Sequence, residues 1–579
     1  MIRIRHLHDA ALPVSQDRIA QAAAILRENF PELSGRADRI SCLLANPFDS
    51  MYRTTLLVAE TSLGKVLGFS LILHFKEINS SFLDYIAVGK NIKGGGIGGA
   101  LYEATREYCQ ANNSSGIYME VDPDDPALTD NVAELELRRK RMRFYENYGV
   151  RPIINNDYHL PAGQPPSCAY LLYDGLGRDE LPSRAEVRSA VRWILQRRFK
   201  DVVNQAYIEE VIESFIDDPI CLRPRKYSKK PEPAKTVATG ILEKPFVMVS
   251  DQNHEIHHVR SKGYFEKPAR VATITEAMKL TGLFTAIGPR RFKEDAILAV
   301  HDKHFVEFLK VVCTKLSAKR SVYPDTFPIR RRNRRPKNLP TQAGYYCIDS
   351  CTPLDQNAYK AARGSVNVAL TAAEEILAGC KVAYAVCRPP GHHAESKVYG
   401  GFCYFNNAAI AANYLSKVGK VAILDIDFHH GNGTQDIFYN RNDVLTVSIH
   451  GDPDGAFPYF SGFNDELGQG DGLGFNFNYP LAAGTDDRLY LKTFDKALGN
   501  LKKFKPEFII VSLGMDIMKN DPTGTFNISV KALKTIGARL TGLNRPVLVI
   551  QEGGYSLRNL KTGTAALFNG MAEASISQA

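Results

Sequence analysis

KVAILDIDFHHGNG, residues 420–433, is the stretch that decides the fold. Val421 to Leu424 form a short apolar run without alternation, the pattern of a strand buried on both faces. The run exits through Asp425, Asp427 and His429, which lie two residues apart. A period of two along an extended chain puts all three side chains on one side. Three other stretches share this design: KVAYAVCRPPGHH (381–393), PEFIIVSLGMD (506–516) and RPVLVIQEGGY (545–555). Each is a short apolar run ending in polar residues, with helical patterns between. Such alternation predicts an α/β domain with a mostly parallel sheet. In open α/β sheets, sites form at the carboxyl ends of strands. The four strand ends are therefore expected to meet in one crevice.

Working outward, the chain of 579 residues divides into three regions. Residues 245–579 hold the four strands. Residues 176–244 open on Ser183 and Glu186, spaced as a capping box. Val187, Val191, Ile194 and Leu195 then keep one apolar face at helical spacing. A second helical stretch, AYIEEVIESFI (206–216), leads to RPRKYSKKPEPAKT (223–236), a charged, proline-rich exposed linker. Residues 1–175 contain the β-like runs TTLLVAE (54–60), VLGFSLILHF (66–75) and FLDYIAV (82–88), then a glycine cluster and the helical run ALYEATREYCQ (100–110). No internal repeat is found.

Hydrophobic residues make up 44% and charged residues 23%, ordinary for a globular protein. The net charge of +9 is mild for this length and carries no nucleic-acid signature: no zinc finger, RNA-binding motif or basic zipper is found. None of the ten cysteines forms a CxxC pair, so reduced thiols are expected. MIRIRHLHDAALP (1–13) holds no apolar stretch able to act as a signal peptide, and no run approaches a membrane span. The expectation is a cytoplasmic enzyme.

Asp427 and His429 on one face are suitable hard and borderline ligands for zinc, and Asp516 can supply a third. Three protein ligands leave a position open, the catalytic arrangement. Taken singly, each residue reads equally well as a strand-end cap or surface carboxylate. The set at four strand ends, with the doubled His392 and His393 on a glycine–proline turn, argues for a metal centre.

The same residues resemble the histone deacetylase superfamily. The resemblance rests on RPPGHHAESKVYGGFCYFNNAAIAA (388–412), LDIDFHHGNGTQDIFY (424–439), SLGMDIMKNDPTG (512–524) and EGGYS (552–556). It is strongest to the bacterial acetylpolyamine amidohydrolases, which share DTFPIRR (325–331) and GYYC (344–347). The resemblance implies an arginase/deacetylase-like fold, with zinc on Asp427, His429 and Asp516. It implies paired catalytic histidines His392 and His393, and Tyr555 as hydrogen-bond donor to the oxyanion. It also implies a structural potassium at Asp425, the Ser448 hydroxyl and backbone oxygens of Asp427, His429 and Ile449. Phe402 and Phe457 would wall a narrow channel. His393 is the expected general base. Some relatives carry an aspartate where this chain has Asn432. A neutral partner stabilises an imidazolium less than a carboxylate does, so a shifted pH optimum is expected.

NIKGGGIGGALYEA (91–104) follows a β-run and opens a helix. Glycines at such a turn let backbone N–H groups approach an anion. Gly94, Gly96 and Gly99 also fit the Rossmann spacing, but the preceding runs look antiparallel, against a dinucleotide fold. Lys93, Gly94, Gly95, Gly96, Ile97 and Gly98 resemble the pyrophosphate loop of the GCN5-related N-acetyltransferases (GNAT), with lysine at the first position a departure. MRFYENYGV (142–150) also resembles that family, placing Tyr145 where many members protonate the departing coenzyme A thiolate. Acetyl-CoA is the implied cofactor. Asp84 and Glu120 are candidate general bases and read equally well as solvated strand-end carboxylates.

Two substrate classes stay open. The motifs favour acetylated polyamines or small acetylated amines. IRRRNRRPKN (329–338), with five arginines and a lysine, and PTQAGYYC (340–347), which lacks the acidic residue of the polyamine relatives, favour acetyl-lysine on a peptide. Glu395 and Asp454 are nearby acids that would compensate, and Thr523 stands where some polyamine-selective relatives have an acidic gatekeeper. The stretch 318–345 has insertion length, and a homodimer through it is an expectation from the resemblance.

Overall fold

The apolar runs become strands of one sheet. The computed structural model describes residues 2–10, 12–31, 37–45, 52–61, 64–90, 96–129, 131–160, 167–178, 180–199, 203–227, 246–259, 264–317, 320–326, 329, 331 and 333–578. The chain divides into two compact units, residues 2–232 (apart from 94–96) and residues 233–579.

The first unit holds β1 (Ile2–Leu7), β2 (Arg53–Thr61), β3 (Val66–Phe75), β4 (Ser80–Val88), β5 (Ile117–Val121), β6 (Arg151–Pro152) and β9 (Tyr170–Asp174) in one sheet, ordered β1-β2-β3-β4-β5-β9-β6. The pair β7 (His159–Leu160) and β8 (Ser167–Cys168) stands apart. Every pairing in the main sheet is antiparallel except β4 with β5. That parallel pair is registered only from Ser81↔Ile117 to Leu83↔Met119. Beyond it, β4 runs on to Val88 without a β5 partner. One sheet face packs on the helix Ile97–Ala111 through Leu101 and Tyr102.

The helices Arg184–Trp193 and Gln205–Glu213, a region of their own in the sequence, pack on this same unit. Ser183 and Glu186 form the expected capping box. Val187, Val191, Ile194 and Leu195 are all fully buried, against Phe75, Phe82, Tyr118 and Tyr173. An amphipathic face of this kind has to find a covering surface, and each such side chain contributes ~1.5–3 kcal/mol when buried.

The second unit is built on eight strands: β10 (Phe246–Ser250), β11 (Phe284–Ile287), β12 (Val382–Val386), β13 (Val421–Asp425), β14 (Val444–Gly451), β15 (Asn476–Leu481), β16 (Phe508–Leu513) and β17 (Val547–Gln551). Their order is β11-β10-β12-β17-β16-β13-β14-β15, and every pairing is parallel. Side chains alternate between two helical layers. Val382, Tyr384 and Val386 join the core with the helices Ala269–Thr281, Asp487–Phe504, Val530–Thr541 and Leu557–Gln578. Ala383, Ala385 and Cys387 join the core with Ala358–Leu377 and Asn407–Leu415. Both faces are covered, which is why these strands read as unbroken apolar runs. The strands that carry the polar exits, β12, β17, β16 and β13, are neighbours in the sheet.

The nine cysteines whose side chains are described are free thiols. No helix among the described residues is long and apolar enough to cross a membrane. Within the insertion-length stretch, residues 318, 319, 327, 328, 330 and 332 lie outside the described residues; Arg331, Arg334 and Arg335 of the arginine run are exposed.

Candidate active site

Adjacent parallel strands bring their exits side by side, and the loops that follow turn back over the sheet edge. Asp427, His429 and Asp516 converge there, with one ligand atom from each lying within 4.8 Å of the others. His429 Nδ1 stands 3.2 Å from Asp427 Oδ1 and 3.1 Å from Asp516 Oδ2. Both carboxylates are fully buried. Two buried anions at this separation repel, so the pair calls for a cation between them. Glycine makes the space: a Cβ on Gly514 would collide with both carboxylates, and one on Gly553 would lie 2.6 Å from each. One carboxylate oxygen of each aspartate is also steadied by a backbone donor, Gly553 N–H to Asp427 at 2.7 Å and Phe428 N–H to Asp516 at 3.1 Å. The donor set, two carboxylates and an imidazole, suits a catalytic zinc.

The two histidine rings lie side by side, tilted at 45° with centroids 4.0 Å apart. His392 Nδ1 meets Asp425 Oδ2 at 3.0 Å. Burial opposes charge on His392, but Asp425 and Asp427 outweigh it and lift its pKa to about 10. His393 is driven the other way: burial, then the neighbouring His392 and His429, hold it well below the ordinary histidine range. One imidazole is therefore charged and its neighbour neutral, the pairing needed for an electrostatic partner beside a base. His393 Nδ1 meets Asn432 Oδ1 at 2.8 Å. That amide is not isolated, since its Nδ2 donates to Glu395 Oε1 at 2.8 Å. Glu395 Oε1 is therefore taken up by the Asn432 amide.

Tyr555 is 8% exposed, its ring edge-on to Phe402 with centroids 5.6 Å apart. Burial holds its phenol well above the ordinary tyrosine range, so it stays a donor. Its backbone N–H and that of Ser556 both reach Asp521 Oδ2, at 2.8 and 3.0 Å. Thr523 turns its hydroxyl to Asp521 Oδ1 at 3.0 Å. Arg270, fully buried on its helix, donates to the Gly554 carbonyl at 2.8 Å and to that of Glu552, and lies 4.9 Å over the Tyr555 ring. Phe457 stands edge-on to His393 at 4.9 Å. Phe402 is held in a left-handed conformation at φ +68, its N–H donating to Thr352 Oγ1 at 3.0 Å. Gly401 before it leaves no room for a Cβ against the His393 ring.

Asp425 and Ser448 are register partners on β13 and β14 and line a small cavity with Asn476 and Asn478. His450 Nε2 faces the Gly462 carbonyl at 2.8 Å and must be its protonated nitrogen. The Ser448 hydroxyl therefore donates to His450 Nδ1, 2.7 Å away, and keeps its lone pairs.

Of the glycine cluster, Lys93, Gly94 and Gly95 lie outside the described residues. Gly96 has φ +55, which favours glycine, and Ile97 and Gly98 open the helix Ile97–Ala111. Tyr145 packs edge-on against Tyr102 at 5.4 Å, and burial raises its pKa to about 12. Neither candidate base is an isolated carboxylate. Asp84 is paired with Arg198 Nε at 2.6 Å, both side chains nearly buried, and Glu120 accepts the Tyr158 hydroxyl at 2.6 Å.

The histone deacetylase domain family matches residues 264–571, and the GNAT acetyltransferase family matches residues 20–130. Acetylpolyamine amidohydrolase 2 of Pseudomonas aeruginosa is 39% identical over 335 residues, 56% of this chain and 97% of that protein. The acetylpolyamine amidohydrolase of Mycoplana ramosa is 37% identical over 338 residues, covering 56% and 99%. A crystal structure of acetylpolyamine aminohydrolase from Burkholderia pseudomallei aligns with TM-score 0.54 and 36% identity over 57% of this chain and 99% of that one. The chain belongs to the histone deacetylase family, its amidohydrolase unit homologous to acetylpolyamine amidohydrolases and accompanied by a GNAT acetyltransferase domain.

Proposed function

We propose that the second unit is a zinc-dependent deacetylase of acetylated polyamines or small acetylated amines, and that the first is an acetyl-CoA-dependent N-acetyltransferase. One observation carries the first half: a histidine nitrogen and two buried carboxylates converge to within 4.8 Å of one another. Zinc held by Asp427, His429 and Asp516 would polarise the acetamide carbonyl and acidify a bound water. The protein's own groups do the rest. His393, neutral and held through Nδ1, accepts the proton of the attacking water at Nε2 and passes it to the departing amine. His392, kept charged by Asp425, adds positive potential beside the reacting carbon. Tyr555 donates to the carbonyl oxygen as it gains charge, a preorganised contact in a site without bulk water. Phe402 and Phe457 exclude water and favour a slender acyl-amine chain. Asp425 and Ser448, whose lone pairs are available, suit a structural potassium. In the first unit, the loop 93–98 would hold the acetyl-CoA pyrophosphate, and Tyr145, kept protonated, would supply the thiolate's proton.

The names of the relatives support acetylated amines as substrates. The exposed Arg331, Arg334 and Arg335, and the occupation of Glu395 by Asn432, favour acetyl-lysine on an acidic peptide as the second reading. Acetate release from acetylated spermidine, acetylated putrescine and acetyl-lysine peptides, with acetyl-CoA titrated into the same full-length protein, tests both halves. The proposal expects higher kcat/KM on the acetylated amines and saturable acetyl-CoA binding. Preference for the peptides would establish the second reading, and no heat on acetyl-CoA addition would remove the transferase half.

A further inference from the structure

The amide behind His393 is the near end of a longer hydrogen-bonded chain. Asn432 Nδ2 donates to Glu395 Oε1 at 2.8 Å and lies 3.4 Å from the His393 carbonyl. Carboxylates and carbonyls only accept, so together they decide which end of the amide is the NH2. The Oδ1 end then faces His393 Nδ1, 2.8 Å away, and it too only accepts. The ring proton must therefore sit on Nδ1, and Nε2 keeps its lone pair. Glu395 is itself fixed in place. Its carbonyl lies 2.9 Å from His301 Nδ1, and Asn406 N–H donates to His301 Nε2 at 2.9 Å. Burial lowers the pKa of His301 to about 4, so it serves as a neutral brace. The next residue, Ser396, donates from its N–H and its hydroxyl to Asp436 Oδ2, at 2.8 and 2.6 Å.

We propose that Glu395 is a positioning residue for amide hydrolysis: through the Asn432 amide it sets the His393 tautomer and supports the charge that His393 takes up. This rests on the deacetylase reading above. The chain thus has a carboxylate behind the base after all, one side chain further out than in relatives with an aspartate at the Asn432 position. His393 is faced also by His392, His429 and Asp427, by the Phe457 ring and by the Gly401 backbone. Glu395 is the carboxylate joined by hydrogen bonds to its Nδ1 edge.

The test uses the full chain with metal bound and an acetylated amine as substrate. Glu395→Gln should lower kcat about tenfold to a hundredfold, with KM and metal content little changed. A lost carboxylate stabilises the imidazolium less, so the acid limb of kcat/KM should move to lower pH. In the double variant Glu395→Gln/Asn432→Asp the carboxylate sits directly on Nδ1. It should recover much of the lost kcat and carry the acid limb above that of the parent. A purely structural role for Glu395 would move neither limb nor be rescued this way. Unchanged kcat and acid limb in Glu395→Gln, or a double variant no faster than the single, would overturn the proposal alone. A parent protein that holds metal but releases no acetate from any acetylated amine would overturn the deacetylase reading and this proposal with it.

Discussion

His393→Ala should lower kcat for acetate release by about 10²–10⁴-fold while leaving metal content and KM close to those of the parent. The expectation follows from the division of charge between the two adjacent imidazoles. His392, clamped by Asp425 and raised to about 10, is protonated at neutral pH and cannot accept a proton. His393, depressed by burial and by the charged His392 beside it, is free to accept one. Its Nδ1 contact with Asn432 keeps the accepting nitrogen aimed away from the protein's own acceptor. Alanine removes the base without touching Asp427, His429 or Asp516, so the loss should fall on kcat. Activity within a few-fold of the parent would move the base role to another group.

Tyr555→Phe should cost about 10²–10³-fold in kcat, the size seen when one preorganised oxyanion donor is deleted. The phenol is buried, is held well above its ordinary pKa and sits on a turn fixed from both sides. Asp521 takes the Tyr555 and Ser556 N–H groups, and Arg270 takes the carbonyls of Gly554 and Glu552. The phenylalanine ring would occupy the same place against Phe402, so fold and metal content should be retained. Near-normal turnover would show that Tyr555 does not bear on the oxyanion. Loss of metal would mean that it acts by holding the site together.

The sheet and the residues at its strand ends were legible because their signals are local. A strand covered on both faces must be apolar throughout, and a catalytic residue at its exit follows within a few positions. Asp425, Asp427 and His429 share one exit, and Asp516 and Tyr555 end neighbouring runs. The supports were not legible, since they come from distant chain. Arg270 reads as an ordinary helix cation, yet it binds the Gly554 carbonyl 284 residues away. Asp84 reads as a candidate base, and the arginine that claims it lies 114 residues further on, in a helix set apart as its own region. Glu395 reads as a mouth acid, and only the fold shows it reaching Asn432. Contacts decide the rest: residue type does not separate His392 from His393, the base role comes to His393 through the resemblance alone, and their opposite charge states arise from which one meets a carboxylate directly.

The central claim, a metal amidohydrolase built on Asp427, His429 and Asp516, is tested most directly by metal analysis of the full-length protein coupled to acetate release. Zinc should be bound in equal amount to the chain, chelation should abolish acetate release from an acetylated amine, and zinc added back should restore it. Asp516→Asn should lose both the metal and the activity. Full activity after chelation, or in protein that holds no metal, would contradict the account.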